Sequence, residues 1–129
     1  MKPVYPKKEK LKKKKHIDLL FSEGRSVSKY PLRLVYVPVK DSDVALEMGV
    51  SVSKRYFKKA VDRNYFKRVL RECYRLNKGL LIDNLTQPYA MMFFYQTKDR
   101  LTYKEIEIKT LELFTKFIAL NNKENTTEE

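Results

Sequence analysis

The chain has little of what most catalytic sites require. Its 129 residues include one cysteine, one histidine, three glycines and no tryptophan. One cysteine excludes an intrachain disulfide, and Cys73 falls among apolar residues, which favours a buried thiol over a nucleophile. His16 lies in a lysine-rich segment that we expect to be flexible, with no second ligand for a metal and no triad partner. The sequence therefore favours a binding protein over an autonomous enzyme, with no catalytic and no metal-binding residues.

Long apolar runs are also lacking. No stretch approaches the roughly 18 apolar residues of a membrane span. The lysine-rich start is not followed by an apolar segment, so we expect no secretory signal, no membrane partner and a cytoplasmic location. A hydrophobic fraction of 43% is enough for one core in a chain of this length.

Acidic residues are scarce in two segments. Residues 1–15 hold eight lysines and one glutamate, and residues 53–78 hold ten basic residues against Asp62 and Glu72. The whole chain carries +12, so the remainder is slightly acidic. Two basic segments on a nearly neutral scaffold indicate a shaped surface for a polyanion, and a solvated helix face would normally mix both signs.

The second basic segment has helical periodicity from about residue 59 to residue 77, ended by Lys78-Gly79. At about 100° per residue, one face is apolar and the other is cationic. The apolar face holds Phe66, Val69, Leu70, Cys73 and Leu76. The opposite face holds Arg63, Asn64, Lys67, Arg68, Arg71, Arg75 and Lys78. This pattern predicts a nucleic-acid contact. Double-stranded DNA is the least favoured partner, since no helix-turn-helix pair or dimer zipper is visible, and we expect no DNA binding.

The remaining elements follow from periodicity and turn residues. We predict a disordered basic arm (1–10), one RNA-binding domain (11–120) and a polar tail (121–129). Within the domain we predict a helix (13–23) ended by Gly24, an antiparallel hairpin (32–39 and 44–52), the basic helix, a strand buried on both faces (88–96) and a helix (102–120) with a Thr102–Glu105 capping box. The fold class is α+β, a two-layer α/β sandwich in the order α-β-β-α-β-α.

Aromatic residues make up 12% of the chain. Aromatic side chains beside cations are the usual platform for unstacked bases. Phe21, Tyr30, Tyr36 and Tyr95 are the candidates for such stacking, and the alternative is that they are half-buried sheet and helix residues. Asp41 and Asp43 could bind a metal, but their position in a turn favours turn chemistry.

Residues 49–72 resemble the signature of the bacterial ribonuclease P protein component. That family carries V-S-K, then A-V-x-R-N, K-R and R-[EQ]. The matching residues are Val52, Ser53, Lys54, Ala60, Val61, Arg63, Asn64, Lys67, Arg68, Arg71 and Glu72. The first helix and the L-T-Y-x-E opening of the last helix agree as well, so the resemblance covers roughly residues 10–120. One departure is the segment 55–59, where the family usually has a glycine and one residue fewer.

The resemblance implies a protein subunit of ribonuclease P, which removes the 5′ leader of precursor tRNA. Its partners are then a catalytic RNA subunit, which holds the magnesium ions, and precursor tRNA. It also implies a ribosomal-protein-like fold with a left-handed β-α-β crossover. The residues expected at the RNA subunit are Lys54, Arg55, Lys58, Lys59, Arg63, Asn64, Lys67, Arg68, Arg71 and Arg75. Those expected at the leader are Ile17, Phe21 and Tyr36. The alternatives are a general, ribosomal-type RNA-binding protein and a stand-alone nuclease.

Overall fold

The computed structural model describes the backbone of residues 5–127 and the side chains of residues 5–122. A short 3₁₀ helix, Lys7–Glu9, precedes the first α-helix. The helices are α1 (Lys14–Glu23), α2 (Ala60–Ile82) and α3 (Tyr103–Thr127). The strands are β1 (Arg25–Lys29), β2 (Leu32–Pro38), β3 (Leu46–Val52) and β4 (Tyr89–Tyr95). The predicted α+β class is confirmed, and the predicted order of elements is found with β1 added between α1 and β2.

The four strands form one mixed sheet in the order β1-β2-β4-β3. Strand β2 is antiparallel to β1 and β4, whereas β3 is parallel to β4. The predicted hairpin between β2 and β3 is wrong, because β4 lies between them. Alternating apolar residues identify a strand but not its neighbour, and β4 takes a central place because both of its faces are apolar. Strand β1 was not predicted. Only Val27 of its five residues is buried, so its sequence lacks the apolar alternation that identifies a strand.

Helices α2 and α3 cover one face of the sheet. The chain leaves β3, forms α2 and returns as β4 parallel to β3, which is the crossover that the resemblance predicts to be left-handed. The core on this face includes Leu34, Met48, Phe66, Leu70, Cys73, Phe93, Phe114 and Phe117. The face of α2 opposite this core is therefore free to carry charge.

Helix α1 covers part of the other face of the sheet. Leu20 of α1 packs there with Val35, Val37, Val39 and Ala90. The predicted two-layer arrangement is thus extended, since helices lie on both faces. Gly24 ends α1, as predicted, for a packing reason: a Cβ at this position would overlap the Leu20 carbonyl and lie 2.9 Å from Val35 Cγ1.

The two long helices run further than predicted. Helix α2 continues through Gly79 to Ile82, because the burial of Leu81 outweighs the low helix propensity of glycine. Helix α3 has the predicted capping box, in which the amides of Thr102 and Glu105 each donate to the other residue's side chain. It extends into the predicted polar tail, where Asn121 is buried and accepts a hydrogen bond from the Tyr89 hydroxyl at 3.1 Å.

Residues 5–10, which belong to the arm predicted to be disordered, pack against β3 and α2 in the structure. Residues 1–4 lie outside the described part of the chain. Across residues 5–127, no helix is both long enough and apolar enough to cross a membrane.

Candidate nucleic-acid interface

Helix α2 presents the cations that its periodicity predicted, except Lys78, which is shielded from solvent and paired with Glu9. Phe66, Val69, Leu70 and Cys73 face the core, while Leu76, predicted to join them, is 43% exposed and Tyr74 is buried instead. Asn64, Arg68 and Arg71 are exposed, and Lys67 is half-buried. We call these four residues the α2 cationic face. Lys67, Arg68 and Arg71 form no ion pair with the described residues. Three cations within little more than one helical turn form a surface suited to phosphate groups.

Two of the predicted contact residues have partners inside the protein. The Arg63 guanidinium donates to the carbonyls of Phe57 at 3.0 Å and Lys58 at 2.8 Å. Arg75 forms a salt bridge with Glu72 one turn earlier. Arg63 therefore shapes the segment before α2 as well as contributing its charge, and Arg75 is largely neutralised by Glu72.

The segment 53–59, which lacks the family's glycine, is a turn held by backbone hydrogen bonds and by the buried Phe57 ring. The amides of Tyr56 and Phe57 donate to the Ser53 carbonyl at 3.1 and 3.2 Å. Phe57 is 7% exposed and its ring stacks on Phe66, with centroids 4.7 Å apart. No described non-glycine residue has a positive φ, so this turn does not require a glycine. The predicted contact residues Lys54, Arg55, Lys58 and Lys59 are all exposed on it.

Helix α1 places only part of the predicted leader site at the surface. Phe21 is 65% exposed and Ile17 is half-buried, four residues earlier on the same helix. Tyr36 is 5% exposed and packs edge-on against Phe117 at 4.7 Å. Its ring lies on the α3 side of the sheet, whereas α1 lies on the other side. The prediction that Tyr36 joins Phe21 in one cleft is therefore wrong, because consecutive strand residues point to opposite faces.

Of the other two candidates for base stacking, Tyr30 is exposed and Tyr95 is buried. Tyr30 is 72% exposed, and its hydroxyl donates to Thr97 Oγ1 at 3.2 Å. Tyr95 is buried in the core beside Phe66. Phe21 and Tyr30 are thus available to a base, and Tyr36 and Tyr95 are core residues.

Arg33 and Phe94 form an open aromatic and cationic pair that the sequence patterns did not predict. They are directly opposite each other on β2 and β4, on the α1 side of the sheet. The Arg33 guanidinium lies 5.8 Å from the centre of the Phe94 ring, and both residues are partly exposed. A weak signal was present, since Arg33 alternates with the core residues Leu32 and Leu34. We call Ile17, Phe21, Arg33 and Phe94 the α1–sheet surface.

The only histidine is part of a buried ionic cluster, so the prediction that it lies in a flexible segment is wrong. His16 is 1% exposed, with Nδ1 3.0 Å from Glu47 Oε1 and Nε2 2.8 Å from Asp41 Oδ1. An ionised carboxylate can only accept, so with Asp41 and Glu47 both ionised the two ring nitrogens of His16 both donate and the ring is an imidazolium. Burial lowers the pKa of His16, but the hydrogen bonds to Asp41 and Glu47 outweigh it and the pKa is raised.

The geometry of the His16 cluster suits a structural role and not metal binding. The two carboxylates bind opposite nitrogens of His16, so they do not converge on one point. Asp41, expected to serve only the turn, also accepts from Lys15 at 3.0 Å. Among the described residues, no group of three or more His, Cys, Asp or Glu side chains could hold a metal ion. Cys73 is buried as predicted, and burial raises the pKa of its thiol to about 11.

Comparison with known proteins gives a consistent result. The family model Ribonuclease P matches residues 5–118. A ribonuclease P protein component from Porphyromonas gingivalis is 45% identical over 98 residues, covering 74% of this chain and 72% of the relative. A second, from Clostridium botulinum, is 33% identical over 112 residues and covers 85% and 95%.

Solved structures share the fold. A Staphylococcus aureus RNase P protein superimposes with a TM-score of 0.69 at 21% identity, covering 83% of this chain and 93% of that one. The RNase P protein of Thermotoga maritima superimposes with a TM-score of 0.67 at 24% identity, covering 84% and 96%.

Proposed function

Since the chain belongs to the ribonuclease P protein family, we propose that it binds a catalytic RNA subunit and the 5′ leader of precursor tRNA, and so assists removal of that leader. The family makes the chain a protein component of a tRNA-processing ribonuclease. The single observation that carries the finer proposal is the α2 cationic face, whose arginines and lysine have no acidic partner among the described residues. A phosphodiester backbone lying along α2 would relieve the repulsion among these cations.

We assign binding of the RNA subunit to α2 and to the turn before it. Asn64, Lys67, Arg68 and Arg71 extend from the helix, and Lys54, Arg55, Lys58 and Lys59 extend from the turn. These residues lie on one continuous stretch of chain around Arg63, which fixes the turn against the helix. Phosphate contacts of this kind position an RNA without reading its sequence.

We assign binding of the single-stranded leader to the α1–sheet surface. Phe21 offers an exposed ring, and Arg33 with Phe94 offers a cation beside a second ring. Single-stranded bases stack on such rings, and the guanidinium can pair with the leader's phosphates. Tyr36 is withdrawn from this assignment because it is buried on the other face.

Catalysis is assigned to the RNA subunit, with the magnesium ions held by RNA, on the basis of the resemblance. The protein's role is to strengthen substrate binding and to lower the magnesium concentration needed, by placing cations where phosphates crowd. A cytoplasmic location follows from this role.

Reconstitution tests the proposal. Cleavage of precursor tRNA is measured with the protein alone, with the RNA subunit of the same genome alone, and with both, over a range of magnesium concentrations. We expect no cleavage by the protein alone and cleavage at the 5′ end of the mature tRNA by the pair at a lower magnesium concentration than the RNA alone needs. Cleavage by nuclease-treated, RNA-free protein would overturn the assignment of catalysis. A protein that binds many structured RNAs equally and leaves the magnesium requirement unchanged would indicate the general RNA-binding alternative.

A further inference from the structure

The N-terminal arm, which we define as residues 5–12, is fastened to α2 by its one acidic residue. Glu9 accepts hydrogen bonds from the Tyr74 hydroxyl at 3.0 Å and from Lys78 Nζ at 2.9 and 3.0 Å. The Glu9 and Lys78 side chains are only 14% and 16% exposed. Tyr5 adds an edge-on contact with Tyr74, with ring centroids 5.0 Å apart. A shielded ion pair with a further hydrogen bond is stronger than an ordinary surface salt bridge.

The arm also pairs with the exposed edge of the sheet. Lys10 bridges to Met48 of β3 in the parallel direction, and the Leu11 amide donates to the Met48 carbonyl at 3.1 Å. The Tyr5 hydroxyl donates to the same carbonyl. The arm therefore has a defined path along β3, and the edge strand is partly covered.

This path gathers lysines beside the turn that precedes β3. Lys7, Lys8, Lys10 and Lys12 are exposed and form no ion pair with the described residues. With Lys13 they line a cavity of about 220 Å³ between the arm and the turn before β3. Of the two acids at this cavity, Glu47 is bound to His16 and Asp43 is exposed. The cavity therefore carries an excess of positive charge.

The arm and the α2 cationic face are close enough to interact. Burial raises the pKa of the Tyr5 hydroxyl to about 12, and the positive charge of Arg71 acts in the opposite direction. The Tyr5 ring packs on Tyr74, which follows Arg71 by three residues on α2, so the arm begins about one helical turn from the α2 cationic face. The arm's lysines continue this surface toward the β3 edge.

We propose that the docked arm is a second phosphodiester-binding surface for the RNA subunit, continuous with the α2 cationic face, and that Glu9 is the positioning residue that builds it. The proposal rests on the proposed function of α2. It explains why an acid stands in the middle of a lysine-rich segment: both carboxylate oxygens are engaged inside the protein, so Glu9 orders the lysines at little electrostatic cost to RNA binding.

The substitution Glu9→Gln distinguishes the positioning of the arm by Glu9 from the effect of its negative charge on RNA binding. Removing an acid raises the net charge by one, so electrostatics alone predicts tighter RNA binding. An undocked arm predicts weaker binding and a salt slope that falls by about one for each phosphate that the protein no longer neutralises. We expect weaker binding to the RNA subunit of the same genome, by about tenfold at moderate salt if the arm neutralises two or more phosphates in the wild type.

Glu112→Gln is the matched control. Glu112 also pairs with lysines, Lys29 at 3.8 Å and Lys109 at 3.5 Å, but near β1 at the opposite edge of the sheet. It carries the same change in charge and should leave RNA affinity unchanged or slightly higher.

Two structural measurements follow the arm itself. In Glu9→Gln the Leu11 amide should exchange its hydrogen faster, and trypsin should cut faster after the arm's lysines, while the circular dichroism stays that of the wild type. The charge exchange E9K with K78E keeps the net charge and allows the pair to re-form, so it should recover part of the RNA affinity that E9K or K78E alone loses.

The outcomes distinguish this proposal from the one it rests on. If Arg68→Ala with Arg71→Ala leaves RNA binding unchanged, the assignment of α2 fails. If that double variant weakens binding but Glu9→Gln binds as tightly as the wild type or more tightly, only the arm proposal is overturned. An arm that undocks in Glu9→Gln without any loss of RNA affinity would overturn it as well.

Discussion

Nδ1 of His16 lies 3.0 Å from Oε1 of Glu47, and both side chains are almost completely excluded from solvent. This contact joins α1 to β3, and Asp41 completes it from the turn before β3. The helix that carries Ile17 and Phe21 is therefore fixed to the sheet by the hydrogen bonds of the buried His16 ring. A pH-dependent contribution to stability follows.

His16→Ala should lower the free energy of unfolding by about 2 kcal/mol at acidic to neutral pH, because Glu47 is left buried without its partner. A histidine whose folded-state pKa is raised contributes fully below its unfolded pKa of about 6.5, and this contribution is lost as pH rises through the folded pKa. The difference between wild type and variant should therefore shrink at alkaline pH. Urea unfolding at several pH values from 5 upward measures it, with exposed Asp43→Asn as the control, and a difference independent of pH would contradict the prediction.

Arg68 and Arg71 should separate RNA binding from folding. The double variant Arg68→Ala, Arg71→Ala should keep the wild-type circular dichroism and unfolding midpoint, since both side chains are exposed and without an ionic partner in the described chain. Its salt slope for the RNA subunit should fall by about one for each phosphate that is no longer neutralised. The control is Lys29→Ala, Lys116→Ala, which removes two charges at the β1 edge. An equal decrease in affinity for both double variants would show that only total charge matters.

Arg63 should behave differently from its neighbours on α2. Its guanidinium holds the carbonyls of Phe57 and Lys58, so Arg63→Ala should lower both RNA affinity and stability, the latter by about 1–3 kcal/mol. Chemical unfolding and RNA titration of the same variant check this. Unchanged stability would mean that these hydrogen bonds are not maintained in solution.

The turn 53–59 lacks the family's glycine, and the buried Phe57 ring holds it against the core instead. Phe57→Ala should cost about 3–5 kcal/mol, the usual range for a buried phenylalanine, because its ring stacks on Phe66. The exposed neighbour Lys58→Ala should leave stability unchanged. Thermal unfolding measures both, and a small effect of Phe57→Ala would show that the turn is held mainly by its backbone hydrogen bonds.

Phe21 and Tyr36 should give opposite results. Phe21→Ala should weaken precursor tRNA binding and spare mature tRNA, which lacks the leader, with little change in stability. Tyr36→Ala should destabilise the fold by about 3 kcal/mol or more, as for other large core residues. Arg33→Ala should resemble Phe21→Ala. An equal decrease in affinity for precursor and mature tRNA in Phe21→Ala would remove Phe21 from the leader site.

Much of the candidate site was predictable because it is local. The cationic face of α2, the burial of Cys73 and the capping box of α3 depend on residues three or four apart, and helical geometry fixes their relative positions. Tyr36 was placed wrongly because the alternation in β2 gives two faces without saying which one α1 covers. The Arg33–Phe94 pair could not be predicted once β2 was paired with the wrong strand.

The sequence by itself determined that this chain is a small α+β protein with its positive charge concentrated in two segments, because composition and helix or strand periodicity are local properties. The tertiary structure alone decided the strand order and the face of the sheet on which each aromatic side chain lies. It also decided the partners of the shielded ionic residues His16 and Glu9. His16 meets Glu47 across 31 residues and Glu9 meets Lys78 across 69. No local periodicity records such pairings, since they exist only when the sheet and helices have closed around them.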